Sequence, residues 1–366
     1  MKKYSVIIPF HSNVNLLTLC VESLKSTLSE EESEIIIIDN NSNGSQIPTD
    51  LSVFKGCRII YRKENLFYPR AVNLGAENAE GKYLILCDAD TCVTKNFFKP
   101  LTSVLDDESV GYASCKLLNM EDNSIQEFGI TSSFYNFPHP YSGRENNFPL
   151  CVFNREVLAG CAACSAIRRD LFYEINGFDE KLIHSYSDID LCLRLKNGGY
   201  RSMCVAAAVA YHKGASTTGS GMSSSLKEDT KGIFMSKYPN IESQISKYLD
   251  EACDYFLSLR KIGTKTYLAL DCATIGDSNN YIRRVSENLG IHITENYRMP
   301  YTQRDAQHID ILNFIPHQIR NYRLPILYFV DSFRALRGNR LWRVCRESYD
   351  DIVIDRHANI LMLKDF

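Results

Sequence analysis

The sequence lacks several features that would place it in a specialised class of protein. It has no apolar run that approaches the roughly 20 residues needed for a membrane-spanning helix. Its 41 Lys and Arg residues are outnumbered by 44 Asp and Glu residues, for a net charge of −3. It therefore has no cationic excess that would indicate a nucleic-acid partner. Hydrophobic residues make up 45% of the chain, which excludes wholesale disorder.

The beginning of the chain has no stretch that resembles a secretory leader. Met1–Tyr4 lead directly into the apolar stretch Ser5–Pro9. We therefore expect a cytoplasmic protein whose 13 cysteines are reduced. Cys161 and Cys164 form a lone CxxC pair with no second pair at zinc spacing. Because this pair lies in an apolar run, core packing is favoured over a metal or redox role.

Apolar strands alternate with helical segments along the first half of the chain. Such a series predicts an α/β doubly wound mixed sheet covered by helices. The predicted strands are Val6–Ile8, which Pro9 would end, Ile35–Ile38, Arg58–Tyr61 and Tyr83–Cys87, and the first helices cover 14–29 and about 68–79. Ligands of such sheets bind beyond the carboxyl ends of the strands. Asp39, Asn65, Asp88 and Asp90 fall there.

The following segments are less regular. Residues 117–158 are rich in Asn, Pro, Phe and Tyr, and we predict a long loop over the site. A helix at Arg169–Glu174, a helix that opens at Ser187 and a strand over 201–211 come next. Residues 214–225 are rich in Gly, Ser and Thr, which is typical of a flexible loop.

Three groups of residues carry candidate chemistry. Asp88-Ala89-Asp90 presents two carboxylates after an apolar strand, which suits a hard divalent cation but also an ordinary solvated turn. Asp188 is placed either to accept a proton from a hydroxyl or to cap a helix. His212 is either a third metal ligand or an ordinary histidine.

A further set of residues suits a nucleotide. Asp39, at a strand end, suits hydrogen bonds from a base or a ribose. Asn65, Arg70 and Asn73 surround the start of a helix, where amide and guanidinium groups can contact a phosphate or a base.

Taken in order, these motifs resemble those of the family 2 glycosyltransferases of the GT-A fold. The resemblance covers roughly residues 4–220 and rests on segments whose order and spacing fit together: Val6–Phe10, Ile37–Ser42, Asn65–Gly75, Asp88–Thr91, Gly177–Glu180, Ser187–Arg194 and His212–Ser216. The sequence departs from the family pattern at two positions. Phe67 replaces a usual glycine, and Ser187 replaces the usual glutamate before Asp188.

The resemblance implies a metal-dependent inverting transfer of a sugar from a nucleotide-diphosphate donor, with UDP as the default nucleotide. It implies Mn²⁺ or Mg²⁺ on Asp90 and His212, with Asp88 as a further candidate ligand, and Asp188 as the base that deprotonates the acceptor hydroxyl. The implied donor-binding residues are Pro9, His11, Asp39, Asn65, Arg70, Asn73, Asp88 and Ala89. The implied acceptor is a glycan or a lipid-linked saccharide in cell-surface polysaccharide synthesis.

Two other functions stay open at this stage. A sugar-phosphate nucleotidyltransferase would also use an α/β sheet and metal-binding carboxylates, but the residues after the first strand lack its glycine-rich basic loop. A catalytically dead nucleotide-sugar-binding module is the other alternative, and Ser187 would then be a sign of decay.

The pattern of the last hundred residues predicts a separate structural unit. We expect a transferase domain over 1–240, a helical linker over 241–262 and a small α/β accessory domain over 263–366. Asp271 and Asp331 follow predicted strands and suit either a second ligand site or simple turns. Residues 333–346 carry an arginine at every third position from Arg334 to Arg346, with the only Trp between them. This segment is either a solvated helix or a peripheral contact with an anionic membrane.

Overall fold

The computed structural model divides the chain into two compact units, Met1–Tyr248 and Leu249–Phe366. The residues that the structure describes are 2–40, 47–48, 50–130, 137, 139, 141–183, 185–214, 224–239, 241, 266–271, 278–298, 326–330, 352–355 and 360–362. The domain limits that we predicted at 240 and 263 remain predictions, and the predicted linker lies outside the described residues apart from Ile241.

The first unit alternates strands and helices around one large sheet. Its strands are β1 (Tyr4–Phe10), β2 (Ser33–Asn40), β3 (Arg58–Arg62), β4 (Tyr83–Cys87), β5 (Thr91–Val93), β6 (Val110–Asn119), β7 (Ile125–Glu127), β8 (Arg155–Val157), β9 (Cys164–Arg168) and β10 (Arg201–His212). Its helices are α1 (Val14–Lys25), α2 (Phe67–Glu77), α3 (Phe98–Ser103), α4 (Arg169–Glu174), α5 (Ser187–Asn197) and α6 (Ser224–Lys237).

The sheet has the order β3-β2-β1-β4-β9-β6-β10-β5, with β7 paired to β6 and β8 paired to β10. Strands β3, β2, β1 and β4 run parallel, while β9 is antiparallel to both β4 and β6. Ile35–Ile38 are buried, as a parallel strand covered on both faces requires. The predicted α/β doubly wound mixed sheet is confirmed, and its parallel strand ends present the polar motifs at one edge.

Pro9 does not end the first strand, contrary to our prediction. β1 continues through Pro9 to Phe10, with Pro9 in register with Ile38 of β2. On its other side, pairing with β4 stops at Ile7. The missing amide hydrogen of Pro9 therefore breaks no ladder with that neighbour.

The predicted long loop over 117–158 is also wrong in part. β6 extends to Asn119, and β7 and β8 fall within the segment. Buried alternate residues, such as Ile125 and Glu127 in β7, show that short edge strands are hidden in a composition that otherwise indicates a loop.

The second unit contains a five-stranded sheet of order β12-β11-β13-β14-β15. Its described elements are β11 (Thr266–Asp271), α7 (Ser278–Leu289), β12 (His292–Arg298), β13 (Ile326–Val330), β14 (Ile352–Asp355) and β15 (Ile360–Met362). The first four strands are parallel neighbours, and β15 is antiparallel to β14. Asp331 and the arginine-rich segment 333–346 lie outside the described residues. None of the helices in the described part of the chain combines the length and apolarity that a bilayer crossing requires.

Candidate active site

Asp88, Asp90 and His212 meet where β4 ends and β10 returns. Asp88 directly follows β4, and β5 begins one residue after Asp90. β10 is antiparallel to β5 with His212 opposite Thr91, and the Lys213 N–H donates to the Asp90 carbonyl at 3.1 Å. This register brings the histidine beside a motif more than a hundred residues earlier in the chain. His212 Nε2 lies 3.1 Å from Asp90 Oδ1 and 3.6 Å from Asp88 Oδ2.

The two carboxylates control the charge of the histidine. Burial alone would lower the pKa of His212, but hydrogen bonds to Asp88 and Asp90 and their charges outweigh it and raise the pKa to about 10. The protonated ring therefore offsets the repulsion between the two carboxylates. A divalent cation would compensate the same charge.

The donor set of this cluster fits a divalent metal. One atom from each of Asp88, Asp90 and His212 lies within 4.8 Å of the others, the single such grouping of His, Cys, Asp and Glu side chains among the described residues. Two carboxylate oxygens and one imidazole suit Mn²⁺ or Mg²⁺ better than a soft metal.

A cavity of about 710 Å³ opens at the carboxyl ends of the strands. Seven of the residues that we expected at the site line it: Pro9, His11, Asn65, Asp88, Ala89, Asp90 and Asp188. The same cavity is lined by residues that the sequence analysis did not single out, including Asn40, Tyr68, Phe137 and Tyr186. The cavity thus joins the metal-type cluster to Asp188.

Asp188 lies in the first turn of α5, which begins at Ser187. Its Oδ1 accepts from the Ile189 N–H at 2.9 Å and its Oδ2 accepts from the Ala162 N–H at 3.4 Å. No side-chain hydrogen bond caps this helix, whose N-cap is Tyr186 at a φ of 70°. Burial raises the pKa of Asp188 above that of an ordinary aspartate, against the hydrogen bonds from these two amides.

The backbone of the CxxC segment contacts both the Asp88–Asp90 motif and Asp188. The Ala163 carbonyl accepts from the Asp88 N–H at 2.8 Å, and the Ala162 carbonyl accepts from the Tyr68 hydroxyl at 3.1 Å. Cys161 and Cys164 are free thiols, and Cys164 is buried in the core. Cys164 therefore packs in the core as expected, whereas Cys161 is partly buried and lines the cavity. The backbone between the two cysteines holds Asp88 and Tyr68 through these hydrogen bonds.

Asn40 organises the loop at the side of the cavity that His11 and Asn65 line. Its Nδ2 donates to Asn65 Oδ1 at 2.9 Å, its Oδ1 accepts from the Leu66 N–H at 2.5 Å, and its carbonyl oxygen lies 2.9 Å from His11 Nδ1. Phe67 follows with a φ of 58°, the left-handed conformation that favours glycine. The chain therefore keeps a glycine-type backbone where the resembling family has glycine.

Asp39, Arg70 and Asn73 are not among the residues that line this cavity in the described part of the chain. Asp39 is buried in β2, and exposed Arg70 lies 3.6 Å from Glu180. Asn73 Oδ1 accepts from the Phe178 N–H at 2.9 Å, and its Nδ2 donates to the Phe178 carbonyl at 3.0 Å. Asn73 therefore holds the Gly177–Glu180 turn. A Cβ at Gly177 would lie 2.6 Å from Asn73 Oδ1, which explains the glycine there.

Aromatic side chains form the wall beside Asp188. Tyr186 stacks on Phe234 of α6 with ring centroids 4.8 Å apart, and Phe137 meets both rings edge-on at 5.7 and 5.4 Å. Lys237 pairs with buried Asp190 at 2.6 Å and with Asp179 at 2.9 Å, which fastens α6 to α5. The one unusual feature of this wall is the left-handed backbone of Tyr186. It can be seen in the structure but not in the sequence.

Comparison with known proteins identifies the matched part of this unit. Residues 5–175 match the model of Glycosyl transferase family 2. This stretch belongs to that family, and its fold is GT-A. The match contains Asp88 and Asp90, while Asp188 and His212 follow it in the chain.

Relatives and a solved structure agree with this assignment. The chain is 29% identical over 224 residues to the O-antigen biosynthesis protein RfbC of Myxococcus xanthus, an alignment that covers 58% of this chain and 18% of RfbC. It is 25% identical to the uncharacterized glycosyltransferase YwdF of Bacillus subtilis, over 52% of this chain and 67% of YwdF. The chain thus spans less than a fifth of the length of RfbC.

The structure resembles that of GalNAc-T7 with UDP, GalNAc and Mn²⁺, with a TM-score of 0.53 and 17% identity. The superposition covers 80% of this chain and 55% of GalNAc-T7. At this identity the likeness shows the fold. The membership of residues 5–175 in family 2 and the GT-A fold, both expected from the motifs, are confirmed.

Proposed function

We propose that this family 2 protein is a metal-dependent inverting glycosyltransferase that uses a nucleotide-diphosphate sugar. The observation that carries the proposal is the shared cavity, lined by Asp88, Asp90 and Asp188, with His212 against the two metal-type carboxylates. A separated metal cluster and proton acceptor are what such a displacement needs.

Asp88, Asp90 and His212 would hold Mn²⁺ or Mg²⁺. When bound, the ion supplies positive charge against the diphosphate of the donor and of the departing nucleotide. Mn²⁺ and UDP accompany the GalNAc-T7 structure, which supports UDP as the default nucleotide. The Asn40, Asn65 and His11 cluster is our proposed contact for the nucleoside.

Asp188 is the proposed general base. Its raised pKa makes the carboxylate a better proton acceptor than an exposed aspartate, while the Ala162 and Ile189 amides hold its oxygens. The base takes the proton of the acceptor hydroxyl as that oxygen attacks the anomeric carbon. Attack from the face opposite the leaving diphosphate inverts the anomeric configuration.

The proposed acceptor is a glycan or a lipid-linked saccharide. The name of RfbC, an O-antigen biosynthesis protein, supports a role in polysaccharide synthesis, which would place the protein at the inner face of the cell membrane. We propose that the acceptor enters along Tyr186, because this ring lines the cavity two residues before Asp188. Aromatic rings offer the apolar faces of sugars a matching surface.

Calorimetric titration of UDP, GDP and dTDP, with and without MnCl₂, tests this function. We expect one nucleotide to bind with Mn²⁺ and to lose at least about tenfold in affinity without it or in Asp90→Ala. Glu121→Ala is the matched control, because this exposed carboxyl pairs with Lys213 next to the cluster. If no nucleotide binds, or if binding is equal with and without metal, the proposal is wrong.

A further inference from the structure

Gln126 of β7 contacts Nδ1 of His212, the ring nitrogen that points away from the two carboxylates. Gln126 Oε1 lies 2.6 Å from His212 Nδ1. Its Nε2 donates to Asn119 Oδ1 at 3.0 Å and to the His212 carbonyl at 3.3 Å. Both of these partners are acceptors, so the amide nitrogen must face them and the amide oxygen must face the ring.

A chain of hydrogen bonds through Asn119 and Ser124 to Asp122 fixes the orientation of the Gln126 amide. Asn119 Nδ2 donates to Ser124 Oγ at 2.8 Å, so its Oδ1 is left to accept from Gln126. The Ser124 hydroxyl in turn donates to Asp122 Oδ1 at 2.6 Å. Hydrogen bonds from Ser124 also lower the pKa of Asp122, so its carboxylate is an acceptor only. The direction of each bond from Asp122 to His212 follows from this terminal charge.

The consequence for the histidine is a single tautomer. Because Gln126 Oε1 can only accept, His212 Nδ1 must carry a hydrogen. In the neutral ring the lone pair is then on Nε2, the nitrogen that lies 3.1 Å from Asp90 and 3.6 Å from Asp88. A neutral imidazole binds a metal through such a lone pair, and an oriented partner on its other nitrogen strengthens it as a ligand.

The backbone at Gly214, two residues after His212, lies close to the Gln126 amide. Gly214 has a φ of 64°, and a Cβ there would lie 2.9 Å from Gln126 Nε2. The chain after the histidine therefore turns tightly over Gln126, and a side chain at 214 would displace its amide. This close approach is independent of the hydrogen-bond directions and supports the same contact.

We propose that Gln126 is a positioning residue for the metal site, which presents His212 Nε2 to the cation through the relay Gln126–Asn119–Ser124–Asp122. The inference rests on the metal site of the proposed function. It does not require that a sugar be transferred. Its test therefore measures binding of Mn²⁺ alone.

The experiment follows the loss of the free Mn²⁺ signal in electron paramagnetic resonance as protein is added. We expect Gln126→Leu, which removes both the acceptor and the donors, to weaken Mn²⁺ binding about 10- to 100-fold. Gln126→Glu keeps an acceptor for Nδ1–H but loses the donor to Asn119 and to the His212 carbonyl, so its loss should be smaller than that of Gln126→Leu. Tyr211→Phe is the matched control, because its hydroxyl donates to Asn123 outside the relay.

A double-variant comparison separates positioning from general damage to the fold. If Gln126 acts through the imidazole, adding Gln126→Leu to His212→Ala should weaken Mn²⁺ binding no further. An equal additional loss in that background, or wild-type affinity in Gln126→Leu, would overturn the inference, as would a wild type that binds no Mn²⁺. Mn²⁺ binding that depends on Gln126 without any sugar transfer would instead overturn the proposed function alone.

Discussion

Asp188 and Asp88 are tied to adjacent residues of one short backbone segment. Asp188 Oδ2 accepts from the Ala162 N–H at 3.4 Å, and the Asp88 N–H donates to the Ala163 carbonyl at 2.8 Å. The proposed base and the metal-type motif are therefore held by the same backbone segment. A displacement of this segment would move both groups together.

Replacement of the proposed base should stop chemistry and spare binding. Asp188→Asn keeps the size of the side chain but removes the proton acceptor, so we expect transfer to fall by at least about 100-fold. Nucleotide affinity in the presence of Mn²⁺ should stay near wild type in calorimetry. Glu180→Gln, an exposed carboxyl that lies near Arg70, is the control. Substantial turnover by Asp188→Asn would exclude the assignment.

The pH dependence of transfer should report the same group. A base must be deprotonated to act, and burial raises the pKa of Asp188 above the ordinary value of 3.8. Activity should therefore decline on acidification at a higher pH than an unperturbed aspartate would give. The measurement is the rate at saturating donor across pH. An acidic limb at the ordinary aspartate value would contradict the role of burial.

Glu127 should make stability depend on pH with an unusual sign. Burial raises its pKa from 4.5 to about 8, so the folded chain holds a proton that the unfolded chain releases. Stability from this group is complete below 4.5 and is lost as pH rises through 8. Glu127→Gln should gain in melting temperature relative to wild type as pH rises. A difference between the two proteins that does not change over this range would refute the prediction.

Phe67 should carry a backbone cost that glycine relieves. Its φ of 58° is a conformation in which a Cβ costs about 1 kcal/mol. Phe67→Gly and Phe67→Ala lose the same ring, so the difference between them isolates the backbone. We expect the glycine variant to be more stable than the alanine variant by about 1 kcal/mol in urea denaturation. Greater stability of the alanine variant would contradict this expectation.

The buried carboxylate of Asp190 should be among the costliest side chains to remove. It accepts from Arg194 Nε at 2.8 Å and from the Tyr238 hydroxyl at 2.8 Å, and Lys237 Nζ lies 2.6 Å away. Asp190→Ala removes the buried anion that Arg194 and Lys237 share, although Lys237 keeps Asp179, so we expect a loss of about 3 kcal/mol in the free energy of unfolding. Lys213→Met, which breaks an exposed pair, should cost no more than about 1 kcal/mol. Similar losses in both variants would contradict the network.

The parallel strands of the sheet can be predicted from the sequence because they are continuous apolar runs. Ile35–Ile38 and Tyr83–Cys87 are buried on both faces, and a polar motif follows each at the same edge. Strands β7 and β8 were not predicted, since three residues show too little periodicity to distinguish a strand from a loop. The same shortness concealed Gln126, whose role depends on side-chain partners.

The candidate site was predictable where chemistry is local and not where it depends on packing. Asp88 and Asp90 are neighbours in the chain. Asp188 and His212 were candidates by residue type and position, and the resemblance decided between their alternative roles. Asn73 suited a phosphate equally well by sequence, yet its amide holds the Gly177–Glu180 turn. Tyr186 and Phe234 stack where Lys237 of α6 pairs with Asp190 of α5, and no spacing rule predicts this contact between distant segments.

The most direct test of the central claim is nucleotide release from UDP-, GDP- and dTDP-sugars, measured with Mn²⁺ for wild type and Asp90→Asn. We predict that wild type releases nucleotide from one donor class, that EDTA stops the release, and that Asp90→Asn reduces it by at least about 100-fold. Equal release by Asp90→Asn or after EDTA, or no release from any donor by wild type, would contradict a metal-dependent transferase site at Asp90.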